Sequence, residues 1–410
     1  MQTSFQPYLC EVNGRRFPLM RLEVPIEIDD YLDWLNAQML FPKIYWEDPR
    51  ENMKVAAIGK ALELDTFPIL FTEKKIRFFG GQDFSSRKYR TWKRFPSKKY
   101  ILPLIEIEER KGTSFLCINR LSKNLFIDLN FRENAYEILR PLSSLHSLSY
   151  SVWKTHITEL LGLIAKKVLT KIVLGRCTHL AFAKMLNPYM VLKKLQGKSP
   201  NAILFAFQYE QNQAFIGASP EVLYKKEDRT IKSYAIAGTY PRGNNSKEDK
   251  RLSRALLKNR KEKNECNIVK KNIETTLSSL CKRICVEKQH ILQTSTVQHI
   301  AYILKGFLKD HISDWNILTA LHPTPATGGL PKNIAIREIQ KREHFDRGWF
   351  AAPVGWVDPR SSSHAVAIRS ALIERNQMHL FAGAGIVEGS TPSGEWEELE
   401  RKISQYIVWE

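Results

Sequence analysis

Alternating apolar and polar residues dominate the first 150 positions. Short β-like runs (Arg21 to Ile26, Lys43 to Trp46, Val55 to Ile58, Ile76 to Phe79, Tyr100 to Ile107, Ser114 to Ile118) are separated by turn residues. That spacing predicts antiparallel sheet rather than βαβ repetition. The period then lengthens, and helices are predicted over Tyr150 to Leu169, Pro188 to Lys194, Ser246 to Cys281, Thr296 to Leu308 and Asn333 to Lys341. Ala202 to Tyr209 and Gln213 to Ile216 read as a hairpin. His364 to Ile373 and Met378 to Val387 read as two strands paired across Glu374 to Gln377. No repeat and no linker-like break in composition divides the chain. The pattern predicts one large α+β domain over residues 1–410, with a β-rich part (1–150) folding together with 151–410.

The last thirty residues, Phe381 to Glu410, depart from simple amphipathicity. After a small-residue strand end and a loop with Gly389, Pro392 and Gly394, a helix begins whose apolar stripe is Trp396, Leu399, Ile403 and Ile407. Glu395, Glu398 and Lys402 lie directly beside that stripe, while Glu397 and Arg401 form a solvated i,i+4 pair opposite. Ionised Glu is rarely buried without a partner, so two carboxylates at i,i+3 there are unexpected. The long helix over Ser246 to Cys281 repeats the anomaly. Its apolar face (Leu252, Ala255, Leu256, Cys266, Val269, Ile273, Leu277) encloses Glu262 and borders Glu265. Two such pairs on two helices can supply the oxygen ligands of one Mg²⁺, directly and through its water. Acids at helix edges among neighbouring lysines are the alternative reading.

Charge adds a second question. Lys+Arg of 62 against Asp+Glu of 43 gives a net charge of +19, which raises nucleic-acid binding. The best patch is Arg87 to Tyr100, where Tyr89, Trp92, Phe95 and Tyr100 interleave with basic residues. Elsewhere the excess charge is spread along the chain, and a small polyanionic substrate accounts for it without nucleic acid. The first residues lack the apolar core of a signal peptide, and no run reaches the ~18 apolar residues of a membrane helix. The six cysteines are scattered, with Cys281 and Cys285 on a helical pattern that lacks a matching Cys/His pair. They read as reduced thiols in a cytoplasmic protein that does not associate with membranes. A dinucleotide fingerprint is also missing, because Glu388 stands where Gly383-x-Gly385 needs a third glycine.

Five further stretches carry candidate chemistry: Lys171 in LTKIVLGR, Glu221 in FIGASPE, Gly238-Thr239 in IAGTYPRG, His322 in HPTPATGG and Arg369 in AVAIR. Lys171 and Arg369 sit in apolar, strand-like contexts, where an unpaired cation is costly. Gly238 beside Thr239 lets backbone N–H groups and a hydroxyl approach an anion closely.

With the two helices, these ordered motifs resemble those of the chorismate-utilising enzymes, from about Phe41-Pro-Lys-Ile-Tyr-Trp to the C-terminus. The resemblance implies two packed, largely antiparallel sheets with helices outside, and chorismate bound beside Mg²⁺ between them. By motif position, Glu265 and Glu398 resemble the direct metal ligands, and Glu262 and Glu395 the acids that hold metal-bound water. Arg369, Gly383 and Lys402 resemble the carboxylate-binding groups, with the Gly238–Thr239 loop alongside. A lysine at 171 with an acid at 221 is similar to the water-using branch, which forms isochorismate, and His322 to Pro331 resembles the isochorismate-forming loop. Ala237 stands where the aminodeoxychorismate branch has its lysine nucleophile. The resemblance thus implies water attack at C2 with Lys171 as base, loss of the C4 hydroxyl with Glu221 as acid, and a menaquinone role. A salicylate-forming enzyme, which goes on to eliminate pyruvate, is the alternative. Gly175, Tyr240 and Cys266 depart from the family pattern. Oligomeric state is not encoded in any motif.

Overall fold

The computed structural model of the chain describes residues 5–71, 76–89, 91–121, 140–294 and 297–407. Two mostly antiparallel sheets form its frame, and both halves of the chain contribute strands to each. In the first sheet, Lys43–Asp48 pairs with Ile203–Glu210, so a strand of the N-terminal part lies against the predicted hairpin. In the second, Phe78–Gln82 pairs with Pro353–Val357. The hairpin strands are Ile203–Glu210 and Gln213–Ser219. One core cluster contains Trp46, Trp92, Trp153 and Trp349, and the other contains Tyr100, Tyr224, Val269 and Leu304.

The chain crosses between the sheets at two places that matter for the site. Gln213–Ser219 belongs to the first sheet and Val222–Glu227 to the second, so Pro220 and Glu221 form the outward crossing. The return crossing runs from Ser361–Val366 in the second sheet to Ser370–Glu374 in the first. The predicted strand over His364 to Ile373 is therefore two strands in different sheets. Arg369 makes the turn between them with φ +50, a left-handed conformation. The crossings are tied together: the Val366 N–H donates to the Glu221 carbonyl, and the Ala218 N–H to the Arg369 carbonyl, both at 3.0 Å. Tyr100 to Ile107 divides likewise, into Lys98–Leu102 in the second sheet and Ile105–Arg110 in the first.

Several helices differ from expectation. Residues 297–308 form the strand Val297–Leu308, paired with Thr230–Pro241 in the second sheet. Its first five residues are all buried there, and sheet context overrides the ambiguous periodicity. Cys281 and Cys285 lie on a neighbouring strand, Cys281–Val286, rather than on a helix, and all six cysteines are unpaired. The long helix is broken into Ser246–Lys258 and Arg260–Leu280. Asn259, with ψ 120, closes the first through N–H contacts to Ala255 and Leu256, and its side chain caps the Glu262 N–H at 3.1 Å. A shared apolar face hid the break. The helix predicted from Pro188 to Lys194 extends to Lys198, and Tyr31–Ala37, capped by Asp30, is an additional short helix.

The C-terminal helix, Pro392–Ile407, starts earlier than its sequence predicts: Pro392 and Gly394, read as loop, lie in its first turn. Leu399 and Ile403 are buried, and Trp396 packs edge-on against Tyr150 and Trp153 of the helix Tyr150–Ala165. The Ile407 side chain lies outside the described residues. The Arg176 guanidinium sits 4.3 Å from the Trp396 ring and 2.7 Å from Glu400, pinning this helix to the first sheet. Among the described residues, no helix is long and apolar enough to cross a membrane. Trp92, Phe95 and Tyr100 of the basic patch are buried, so these three rings cannot serve as an exposed stacking platform. Arg87 is fastened to Asp83 and to the Trp92, Phe95 and Pro96 carbonyls, while Arg90 lies outside the described residues.

Candidate active site

Both carboxylate pairs face the seam between the sheets. The helix Arg260–Leu280 packs on strands Thr230–Pro241 and Val297–Leu308 of the second sheet, and the C-terminal helix packs on Gln377–Ile386 of the first. Glu262 and Glu265 thus approach from one side, Glu395 and Glu398 from the other. Glu262 and Glu395 are buried, the latter only 2% exposed. Burial raises both carboxyl groups above their ordinary range, Glu262 further through Glu265 and Glu395 further through Glu398. Burial also pushes Glu398 upward, but Lys402 and then Lys261 outweigh it and bring that group below its usual value. Glu262 thus feels both Glu265 and Glu398, and Glu395 feels Glu398 across the same helix face.

Each acid has a fixed partner. Lys171, 1% exposed at the start of strand Lys171–Ala181, sets its Nζ 2.7 Å from Glu265 Oε1. Lys261 Nζ lies 2.9 Å from Glu395 and 3.7 Å from Glu262. Lys402 is paired with Glu398 and donates to the Gly383 carbonyl at 2.8 Å. Glu262 accepts the Thr239 N–H at 2.7 Å, which the left-handed turn at Gly238 (φ +75) aims at it. Any side chain at Gly238 would put its Cβ 2.7 Å from the Glu262 carbonyl, so close approach of strand and helix requires glycine. Gly385 plays the same part opposite, since a Cβ there would overlap Glu265 Oε1 and lie 3.2 Å from Lys171 Cε.

An all-oxygen donor set in a cradle kept free of side-chain carbon suits Mg²⁺ in kind. Among the described residues, no three of the four carboxylates converge within 4.8 Å, because lysines separate them. The donor chemistry fits the ion, while each acid is held by a lysine or by the Thr239 N–H.

Glu221 occupies the outward crossing. Its backbone is held by Ser219 Oγ at 3.1 Å and by Val366. Burial pushes its carboxyl up to about 7, although Lys171, Lys402 and Arg369 pull the other way. A carboxyl group poised near neutrality beside three cations is suited to donate a proton to a leaving group in an anion-binding site. Arg369 turns on the return crossing, and its carbonyl accepts from the Tyr406 hydroxyl. Beside Arg369 lies a cavity of about 610 Å³, also lined by Ala218, Pro220, Arg242, Thr294 and Ser404, within the usual range for small-molecule sites. None of the four acids lines it.

Two residues escaped sequence reading. His299 lies on the strand mistaken for a helix, with Nδ1 3.0 Å from Thr239 Oγ1. Burial, then Arg369 and Lys402, hold its imidazole neutral, with a pKa about 3. Lys261 sat unremarked among lysines, where only its place one residue before Glu262 could have singled it out. His322, by contrast, heads its own loop, where its ring faces Phe84 (ring centroids 5.3 Å apart) and its carbonyl holds Lys332, away from the acids. Gly175 admits the Glu343 carboxylate to its N–H at 2.5 Å, where a Cβ would approach within 2.8 Å. Cys266 is buried with its thiol toward the Ile300 carbonyl at 3.6 Å.

Known proteins resemble the chain in sequence and in fold. A family described as chorismate binding enzyme matches residues 69–407. The chain is 32% identical to isochorismate synthase 2, chloroplastic, of Arabidopsis thaliana (95% of this chain, 80% of that one). It is 30% identical to isochorismate synthase MenF of Haemophilus influenzae (95% of this chain, 91% of that one). Its fold resembles that of MenF, the menaquinone-specific isochorismate synthase from Escherichia coli, with TM-score 0.85, 24% identity and coverage of 96% and 95%. Anthranilate synthase component I from Streptococcus pneumoniae shares it at TM-score 0.69 and 18% identity, covering 87% and 92%. With most of its length matched by the family, and relatives aligned nearly end to end, the chain belongs to the chorismate-binding enzymes.

Proposed function

We propose that the protein converts chorismate to isochorismate by adding water at C2 and expelling the C4 hydroxyl. The observation that carries this reading is the buried carboxyl of Glu221 at the crossing between the sheets, which burial pushes up to about 7 against the pull of Lys171, Lys402 and Arg369. Hydroxide is a poor leaving group, so its departure needs an acid that is protonated at working pH. Glu221 supplies that proton at the C4 oxygen. Lys171, once its amine is released from Glu265 and deprotonated, takes the proton of the attacking water. The ring double bonds shift between the two events, and no atom of chorismate is lost except the exchanged hydroxyl. Arg369, Lys402 and the Gly238–Thr239 loop hold the substrate carboxylates, and Gly383 leaves room beside them.

Glu265 and Glu398 would hold Mg²⁺ directly, and Glu262 and Glu395 the water bound to it. The ion, when bound, neutralises and orients a substrate carboxylate. The relatives named isochorismate synthase support the reaction, and those named MenF support a place in menaquinone formation. Carrying out the reaction in water enriched in heavy oxygen tests the chemistry. Water attack predicts label in the C2 hydroxyl of isochorismate, whereas an unlabelled product would mean internal migration and would remove Lys171 from the role of base.

A further inference from the structure

On the strand that begins with Lys171, but at its other end, a second group of ligand-type side chains comes together. Cys177 and His179 alternate onto one face of Lys171–Ala181. His379 on Gln377–Ile386 stands directly opposite His179 in the antiparallel register. Their ligand atoms all lie within 4.8 Å of one another. The two Nδ1 atoms are 2.7 Å apart, with the rings perpendicular at 88°. Cys177 and His379 are buried, and His179 is half-buried beside the edge strand Ser143–His146, whose Leu145 pairs with it and is exposed. Eight residues separate His179 from Lys171, about 26 Å along a strand at ~3.3 Å per residue. The group is therefore remote from the site described above.

We infer that Cys177, His179 and His379 form a binding site for a thiophilic metal ion of the Zn²⁺ class, clamping strands Lys171–Ala181 and Gln377–Ile386 together. Three points of chemistry carry this. One thiol and two imidazoles are the donor types such ions select over oxygen, the reverse of the carboxylate set at the seam. Burial favours neutral imidazole, the form that ligates, and the Cys177 thiol, which burial holds protonated, releases its proton to solvent as it binds the ion. Zn–N bonds of about 2.0–2.1 Å around a tetrahedral ion set two ligating nitrogens about 3.3 Å apart, roughly 0.6 Å more than the two Nδ1 atoms here. The side by His179 and the edge strand gives the entry path, and the fourth position is left to water or an external ligand.

Co²⁺ is the probe, because its tetrahedral thiolate complexes absorb in the near ultraviolet and carboxylate complexes do not. Full-length protein kept in excess Mg²⁺ and titrated with Co²⁺ should develop that charge-transfer band to a stoichiometry of one per chain. Zn²⁺ should then displace it. The band should disappear in Cys177→Ser, fall at least tenfold in apparent affinity in His379→Gln, and persist in Cys285→Ser, whose thiol is the exposed one. Cys177→Ser and His379→Gln should retain isochorismate formation, which also reports that they are folded. A wild-type chain that gives no band overturns the site, whatever the variants do. So does a band unchanged in either Cys177→Ser or His379→Gln, which leaves a hydrogen-bonded histidine pair and nothing more.

Discussion

Lys171 Nζ and Glu265 Oε1 lie 2.7 Å apart across the seam, joining a strand of the first sheet to a helix on the second. This one ion pair links the proposed base to the proposed metal ligand. A buried cation left alone costs several kcal/mol, so Lys171 without a metal at Glu265 has every reason to hold that carboxylate. Removal of either partner therefore changes both functions.

Metal dependence follows first. Chelation with EDTA should abolish turnover, and Mg²⁺ should restore it. Glu265→Ala and Glu398→Ala should each need at least tenfold more Mg²⁺ for half-maximal activity, or lose activity outright. Wild-type Mg²⁺ dependence in either variant would contradict the assignment.

Lys171→Ala and Glu221→Ala should each lower kcat by about 10²-fold or more, the usual scale of general acid–base catalysis. Chorismate should still bind, as judged by quenching of intrinsic fluorescence. Near-wild-type turnover in either would return that residue to a structural role.

The pH dependence has a definite sign. Glu221 has a pKa pushed up to about 7 by burial, so its acid form prevails below that value and is lost above it. The kcat should therefore fall as pH rises through about 7. The residual activity of Glu221→Gln should lack this limb, and a limb that persists there belongs to another group.

Gly385→Ala tests the cradle. A methyl group there overlaps Glu265 Oε1 and crowds Lys171, so kcat should fall by at least tenfold while the thermal melt moves little. Unchanged kcat would show that the strand and helix need not approach so closely.

How much of this was legible in the sequence depended on whether a residue's role was local. Glu262, Glu265, Glu395 and Glu398 could be found because an acid beside an apolar helical stripe is anomalous within a few residues of itself. The two-sheet α+β frame followed from period-two alternation and from the family resemblance. His299 was lost with its strand: Val297–Leu308 is apolar enough to read as a helix, and only pairing with Thr230–Pro241 decides the matter. The approach of Glu221 to Arg369 was also illegible, because both sit at crossings between sheets. Periodicity ran through the second crossing as one strand, and it cannot report where a chain changes sheets. The break at Asn259 was concealed for a related reason, since both helices bury the same face.

The central claim is that chorismate is isomerised and not cleaved. Isomerisation is reversible and releases no pyruvate, whereas salicylate formation breaks the enolpyruvyl ether and runs to completion. Lys171, Glu221 and the four acids serve either outcome, so the product decides. Purified protein incubated with chorismate and Mg²⁺ in the presence of lactate dehydrogenase and NADH reads out pyruvate directly. Unchanged NADH, with chorismate and isochorismate settling at a constant ratio, is the predicted result. Stoichiometric loss of NADH with appearance of fluorescent salicylate would contradict the account.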